Sequence, residues 1–383
     1  MQKKRVLLLV AGDNGTIGSC SLNMYEAFKK ATDYEVCCAI IHHFEDGYEG
    51  FKDAVFFDKD HVGGGRARRK WLRAIKKAFK PDVTISTLFG VSTLSVLSGG
   101  RDKKIGIFHS PHHQIKAKGW KRYSATLLQY AFIYPFLDKL CCVSEEVKES
   151  LSVFPWIRES KKQVVYNIHN LDRIIEKSEI EIEDPVERDV FFHPTIVYCG
   201  RLDRNKAPIR SIEAFAMATK PQDAQLVFLG NDEEGLQREL EVKAKELGVS
   251  ENVHFFGRKQ NPYNYICSAK ALISSSYSEG LPGVMIEALT LGVPIVTTNS
   301  SRGIWEIFSE PQKYNAGLNG VFENECGFIT SNLSSKDPTK YQADINNLSV
   351  ALEKVFSKGK VKQFEFANSV KADTILKQLL SDL

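Results

Sequence analysis

The strongest constraint in this chain is an alternation of short, uninterrupted apolar runs with longer stretches of helical periodicity. In the first half the order is VLLLVAG from Val6, SLNMYEAFKKA, YEVCCAII from Tyr34, WLRAIKKAFK from Trp71 and PDVTISTL from Pro81. KIGIFHS from Lys104 and KLCCVSEEVKESL from Lys139 continue it, the latter passing into a helix whose first turn carries Glu145 and Glu146. Such apolar runs read as buried strands of a parallel sheet, and the periodic stretches between them as the crossover helices of βαβ units.

Between about Ile168 and Pro194 the periodicity lapses into charged, turn-rich sequence, HNLDRIIEKSEIEIEDPVERD included, which reads as a domain connection. A second series follows: TIVYCGRLD, IRSIEAFAMATK, AQLVFLGND, LQRELEVKAKELG, NVHFFGR, ALISSSYSEG, a helix after Pro282, and VPIVTTN. The tail from about Asp344 is helical and polar, with VALEKVF and ADTILKQLL as its amphipathic segments. The expected fold is α/β, with two tandem Rossmann-like, doubly wound domains. The first covers residues 1–170 and the second, with the connection, residues 171–361; a C-terminal helix at about 362–383 is expected to pack back on the first. Ligands of open parallel sheets bind beyond the carboxyl ends of the strands, so the cleft between the domains is the expected site.

A length of 383 residues with 43% hydrophobic content exceeds one ordinary core and suits two or three domains. MQKKR precedes the apolar run Val6–Ala11, but that run is too short for a signal peptide and ends in Gly12, Asp13, Asn14 and Gly15. The longest membrane candidate, ATLLQYAFIYPFL from Ala125, is interrupted by Gln129 and Pro135. It falls short of the ~20 apolar residues a spanning helix needs. A soluble or peripherally attached chain is expected. The eight cysteines form no CxxC pair, and Cys37-Cys38 and Cys141-Cys142 sit in strand-like runs, which points to reduced core thiols in the cytoplasm. Charge is uneven: 28 Lys and Arg stand against 18 Asp and Glu up to residue 175, and 23 against 29 beyond it.

Two stretches concentrate chemistry. SEGLPGVMIEA, Ser278–Ala288, holds Glu279 and Glu287 around a Gly-Leu-Pro-Gly turn. A loop entering a helix would explain it, with Pro282 near the first helical position. So would a turn whose glycines let backbone approach a phosphate at a helix N-terminus. The second stretch ends the first strand of the second series in Gly200, Arg201, Leu202 and Asp203, with Lys206 following. Solvated loop charges are one account of these cations. The other is a diphosphate clamp, bidentate from arginine and a point charge from lysine.

GRLDRNKAP at Gly200, LVFLGND at Leu226, VHFFGR at Val253 and SEGLPGVMIEALTLGVPIVTT at Ser278 together resemble the successive landmarks of the retaining GT-B glycosyltransferases, family 4. The resemblance is clear from Gly200 to Thr298 and loose over the first domain. It implies that Arg201 and Lys206 hold the donor diphosphate and stabilise charge developing there. Glu279 would bind hydroxyls of the transferred sugar and Glu287 the ribose hydroxyls. Backbone at Gly280, Leu281, Pro282, Gly283 and Val284 would approach sugar and phosphate, although Pro282 offers no N–H donor. Arg258 falls where the family contacts the base. His109, after KIGIF, matches the position facing the donor sugar, with Phe108 where related enzymes carry an acid. The loop GDNGTIGS, with Gly15 and Gly18, stands where family members place adjacent glycines near donor phosphate or acceptor. Retention of configuration, by front-face substitution with no protein nucleophile, is implied by the resemblance alone.

FHSPHHQIK clusters His109, His112 and His113 but lacks nearby acid or cysteine partners, and family resemblance implies no resident metal. His112 and His113 read as loop residues on the acceptor side. GGGRARRK from Gly63 lacks the Gly-Lys-Ser or Gly-Lys-Thr of a phosphate loop. RARRKWLRAIKKAFK, Arg66–Lys80, interleaves eight cations with Trp71, Leu72, Ile75 and Phe79, and KAKGWKRY from Lys116 repeats the theme with Trp120 and Tyr123. These are solvated amphipathic faces or a surface for anionic membrane; no nucleic-acid motif accompanies them. The expectation is a glycosyltransferase moving a hexose or N-acetylhexosamine from a nucleotide sugar, UDP preferred, to a lipid-linked glycan at the inner leaflet in bacterial surface-polysaccharide assembly. A GT-B-shaped nucleotide-sugar epimerase and a non-catalytic sugar-binding scaffold are the alternatives.

Overall fold

The computed structural model describes residues 3–45, 47–60, 63–111, 120–332 and 337–381, and each run read as a strand forms one, whereas the apolar run from Ala125 is helical. Met1–Asn170 with Asn368–Leu383 make one compact unit and Leu171–Ala367 a second. In unit 1 the strands are β1 (Lys4–Gly12), β2 (Tyr34–His42), β3 (Val55–Phe56), β4 (Val83–Ser86), β5 (Lys103–Phe108), β6 (Lys139–Cys142) and β7 (Lys162–Val164). They pair in parallel in the order β3-β2-β1-β4-β5-β6-β7. Val6–Val10 are wholly buried, as strands covered on both faces must be. The helices of this unit used below are α1 (Gly15–Lys30), α2 (Gly65–Phe79), α3 (Phe89–Leu97) and α4 (Glu145–Ser150). α4 starts as its sequence indicates: Ser144 Oγ accepts the Val147 N–H at 3.3 Å, with Glu145 and Glu146 in the first turn.

α2 corrects one reading. Trp71 and Leu72 are not presented outward but buried in a cluster with Leu7, Leu9, Ala39, Ile41 and Phe57, and Ile75 and Phe79 pack against it. A crossover helix must give its apolar stripe to the sheet it covers, so these side chains are spent on the core and not offered to a membrane. Even Lys76 turns inward, donating to Asp102 Oδ2 at 2.9 Å and to the Gly99 carbonyl at 3.0 Å. Of KAKGWKRY, residues 116–119 lie outside the described residues, as do His112 and His113.

The C-terminal helix Ala372–Leu380 belongs to unit 1. Lys139 Nζ donates to the carbonyls of Gln378, Leu379 and Ser381 at 3.1, 3.3 and 2.8 Å, capping that helix end with a cation. Beside it the His169 N–H donates to the Val370 carbonyl at 3.0 Å. No helix among the described residues is long and apolar enough to cross a membrane.

Unit 2 repeats the plan with β8 (Thr195–Cys199), β9 (Gln225–Leu229), β10 (Val253–Gly257), β11 (Ala271–Ser274), β12 (Ile295–Thr298), β13 (Val321–Asn324) and β14 (Gly327–Thr330). The order is β10-β9-β8-β11-β12-β14-β13, parallel except for the β13–β14 hairpin. Its helices include α5 (Leu171–Ser178), α6 (Pro185–Val190), α7 (Pro208–Met217), α8 (Gly283–Thr290), α9 (Arg302–Ile307) and α10 (Pro338–Val355). The segment read as a connection is thus partly helical. α6 is opened by Asp184, whose side chain accepts from the Val186 and Glu187 N–H groups, with Pro185 following. Behind the sheet, buried Arg210 of α7 donates to Asp344 of α10 at 3.2 Å and to the Ser275 carbonyl at 3.2 Å, tying both helices to the end of β11.

Burial of His169 makes a testable demand. Desolvation lowers its pKa from 6.5 to about 4, so between these values the unfolded chain takes up a proton that the fold resists. Stability contributed here is present above pH 6.5 and is lost as pH falls toward 4, by at most about 3 kcal/mol. Acid unfolding followed by circular dichroism should show a shallower decline over this range in His169→Gln than in the parent chain.

Candidate active site

Three strand ends of unit 2 deliver the site. β8 runs into Gly200–Ala207, β11 into Ser275–Pro282, and β12 into Asn299–Ser301. Hydrogen bonds stitch these loops together: Tyr277 N–H to the Asn205 carbonyl (2.8 Å), Asn205 Nδ2 to the Ser278 carbonyl (2.8 Å), and Glu279 N–H to the Ser300 carbonyl (3.2 Å). Ala207 takes the left-handed conformation at φ 47°, unusual for a residue with a Cβ, before Pro208 starts α7. That turn aims Lys206 back across the strand ends.

Lys206 Nζ meets Glu279 Oε1 at 2.7 Å, and the same oxygen accepts from Ser276 Oγ at 2.6 Å. Arg201 is exposed at the loop rim, 2.9 Å from Asp203 Oδ2 and 3.6 Å from Glu233 Oε2. Gly280, Leu281, Pro282, Gly283 and Val284 form the turn and first residues of α8, with Pro282 as the N-cap. The Gly280 carbonyl accepts from Ser301 Oγ at 3.1 Å. α9 packs so closely beneath that a Cβ on Gly303 would overlap the same carbonyl.

Glu287, the fifth residue of α8, carries a partly buried carboxyl that meets no hydrogen-bond or ion-pair partner among the described residues. Burial pushes its pKa from 4.5 up to about 7. The Cys199 thiol nearby is pushed up to about 12, by burial first and by the Glu287 charge second. Arg258 follows β10 on the exposed side of the same unit.

The remaining sequence-predicted residues belong to unit 1. His109 follows β5; burial depresses its pKa to about 4 against a backbone hydrogen bond with Thr87 that acts the other way. Its Nε2 is buried and has no hydrogen-bond partner among the described residues. The imidazole is oriented by backbone, while the preceding Phe108 is buried against Tyr134 at 5.3 Å between ring centroids. Gly15 takes φ 61° at the start of α1 and faces open space, whereas a Cβ on Gly18 would lie 2.7 Å from the Asp13 carbonyl carbon. Gly18 therefore serves packing against Asp13. Among the described residues no group of three His, Cys, Asp or Glu side chains is placed to hold a metal ion.

Sequence reasoning missed Ser276, which supports Glu279, and Arg210 with Asp344, which hold the β11 end. Asn205 lay inside the quoted GRLDRNKAP motif, and a polar residue between two proposed phosphate ligands was its only signal.

The family Glycosyl transferases group 1 matches residues 190–324, and Glycosyltransferase Family 4 matches residues 28–173. A glycosyltransferase family model thus matches a stretch of each unit, and the chain has the GT-B fold. Among solved structures, Anabaena HepE in complex with UDP-glucose superposes with a TM-score of 0.67 at 16% identity, over 99% of this chain and 100% of that one. A UDP-N-acetylglucosamine 2-epimerase gives 0.61 at 12% identity, over 99% and 96%. The N-acetylgalactosamine-N,N'-diacetylbacillosaminyl-diphospho-undecaprenol 4-alpha-N-acetylgalactosaminyltransferase of Campylobacter jejuni is 28% identical over 235 residues, 60% of each chain. The chain spans about half to three-fifths of the length of this and two further curated glycosyltransferases that it matches.

Two outcomes follow from this geometry. Because the folded pKa of Glu287 is raised, its carboxylate costs stability increasingly as pH rises from 4.5 through about 7. Glu287→Gln should therefore unfold at higher temperature than the parent by about 1–3 kcal/mol equivalent at pH 8, with the gain shrinking toward pH 5. Gly303→Ala should destabilise unit 2 by about 1–3 kcal/mol in urea titration, since backbone meets the added methyl.

Proposed function

We propose that this chain is a retaining glycosyltransferase that moves a hexose or N-acetylhexosamine from UDP to a lipid-linked glycan at the inner membrane face during bacterial surface-polysaccharide synthesis. The observation that carries the reading is the Lys206–Glu279–Ser276 cluster beside the unpartnered Glu287 carboxyl, all in one unit at the strand ends. A nucleotide sugar carries groups that match this arrangement. Its diphosphate meets Lys206 and Arg201, its sugar hydroxyls donate to Glu279, and its ribose hydroxyls donate to Glu287. Arg258 takes the base, and the α8 turn from Gly280 to Val284 approaches the phosphates. His109, neutral at physiological pH with Nε2 unpartnered among the described residues, is assigned a hydrogen bond to the substrate.

In the proposed step the bond from the anomeric carbon to the diphosphate oxygen breaks while the acceptor oxygen bonds to the same face. The acceptor proton passes to the departing phosphate oxygen. Charge accumulates on the diphosphate, and Lys206 and Arg201 act by meeting it there, which lowers the barrier more than equal binding of the ground state would. No resident metal is assigned. The relative named for transfer to a diphospho-undecaprenol-linked glycan and the HepE structure in complex with UDP-glucose support the substrate classes. The shared fold of the 2-epimerase keeps a second reading in view. Interconversion of a nucleotide sugar without acceptor would favour it.

The test is nucleotide release from a panel of UDP-, GDP-, ADP- and TDP-sugars, with and without lipid extract and with EDTA. Release should need a UDP-sugar and the extract, persist in EDTA, and fall about 100-fold in Glu279→Ala. Release from another nucleotide, or full activity in the variant, overturns the assignment.

A further inference from the structure

We infer that Arg210 and Asn332 are positioning residues for the transfer step, holding the loop that carries Ser276 and Glu279 without themselves touching the donor. The inference rests on the sugar contact assigned to Glu279 above. Arg210 of α7 is wholly buried. Its Nη1 donates to the Ser275 carbonyl at 3.2 Å and to Asn332 Oδ1 at 2.9 Å, and its Nη2 donates to Asp344 Oδ2 at 3.2 Å. Asn332, just beyond β14, passes the restraint on: its Nδ2 donates to the Tyr277 carbonyl at 2.9 Å. The guanidinium also lies 4.9 Å from the centre of the Tyr277 ring. The main chain is thus gripped on both sides of Ser276, and Glu279 follows.

The same network reaches Lys206. Ser275 Oγ donates to the Ala207 carbonyl at 2.8 Å and lies 2.8 Å from Ser211 Oγ of α7. The bonds from Tyr277 and Ser278 to Asn205 join the two strand-end loops to each other, but only the Arg210 network ties that pair of loops to α7 and α10. Folding alone gives little reason for such a device. A buried ion pair gains little over apolar side chains of similar volume, and the Arg210 Nε is buried with no hydrogen-bond partner among the described residues. What an apolar pair would lose is direction, because the planar fork of the guanidinium fixes the Ser275 carbonyl and, through Asn332, that of Tyr277. A displacement of about 1 Å at a group that meets the reacting sugar can cost roughly 100-fold in rate.

Asn332→Ala and the paired Arg210→Met/Asp344→Leu test this by nucleotide release, UDP titration and amide hydrogen exchange. In both, kcat for release from the UDP-sugar with lipid extract should fall about tenfold or more. UDP affinity should stay within about twofold, since UDP lacks the sugar that Glu279 meets. Exchange at the Tyr277 and Glu279 N–H groups should quicken by about tenfold or more, with that of Val227 in β9 unchanged. Parent-like exchange at Tyr277 and Glu279 overturns the proposal, as does release that falls only in proportion to the unfolded fraction or together with UDP affinity. A parent chain that releases nucleotide from no UDP-sugar would sink the transferase reading, and the exchange rates would still decide whether Arg210 and Asn332 hold the loop.

Discussion

Parallel pairing is the constraint from which both units follow. A parallel strand cannot return through a tight hairpin; each return must cross a face of the sheet, so helices cover both faces and strand-to-helix loops gather along one edge. In unit 2 this brings β8, β11 and β12 side by side, with Ile273 paired to both Tyr198 and Val296. Their loops then lie within hydrogen-bonding reach of one another, and Thr298 Oγ1 donates to the Ser276 carbonyl at 2.6 Å. Lys206 and Glu279, 73 positions apart, meet because those strands end together.

The charges at that edge are balanced without ligand, and the balance is shallow. The Lys206 and Glu279 side chains remain 24% and 11% exposed, so their attraction is weaker than that of a dry pair such as Arg210 and Asp344. A diphosphate carries more charge than one carboxylate and can draw Lys206 away. Glu287 is poised differently. Burial holds it half protonated near neutral pH, and any ligand that donates hydroxyls to it favours the ionised form. Binding there is coupled to proton release.

Much of the strand framework was legible because continuous apolar runs have one economical use in a soluble fold. VLLLV, KLCC and QLVFL all became buried strands. The β13–β14 hairpin was not legible, since Val321–Asn324 is half-buried and mixed in character at a sheet edge. The helices of the connection escaped because their periodicity is carried by few apolar residues, with Ile174 the buried one in α5. At the candidate site, residues within a motif could be named, while their supports could not. Nothing in single-sequence spacing connects Arg210 to Asp344 across 134 positions. The basic stretch beginning at Arg66 was seen as one surface, yet a helix packed on a sheet divides it: Trp71, Leu72 and Lys76 turn inward, and the arginines stay outside.

That division gives the two faces of one helix different surroundings. Lys76 and Lys77 lie in the last turn of α2, where cations complement the dipole, and Lys76 is consumed by Asp102. Three other helices place acids at their starts as folding prefers, with Glu145 and Glu146 opening α4, Asp184 opening α6 and Asp337 opening α10. The first turn of α2 carries Arg66 and Arg68 and no acid, as the first turns of α7 and α9 carry Arg210 and Arg302. Local dipole preferences yield at these starts to what each side chain does once the helix is packed: Arg210 is buried against Asp344, and Arg68 lies over the Phe57 ring.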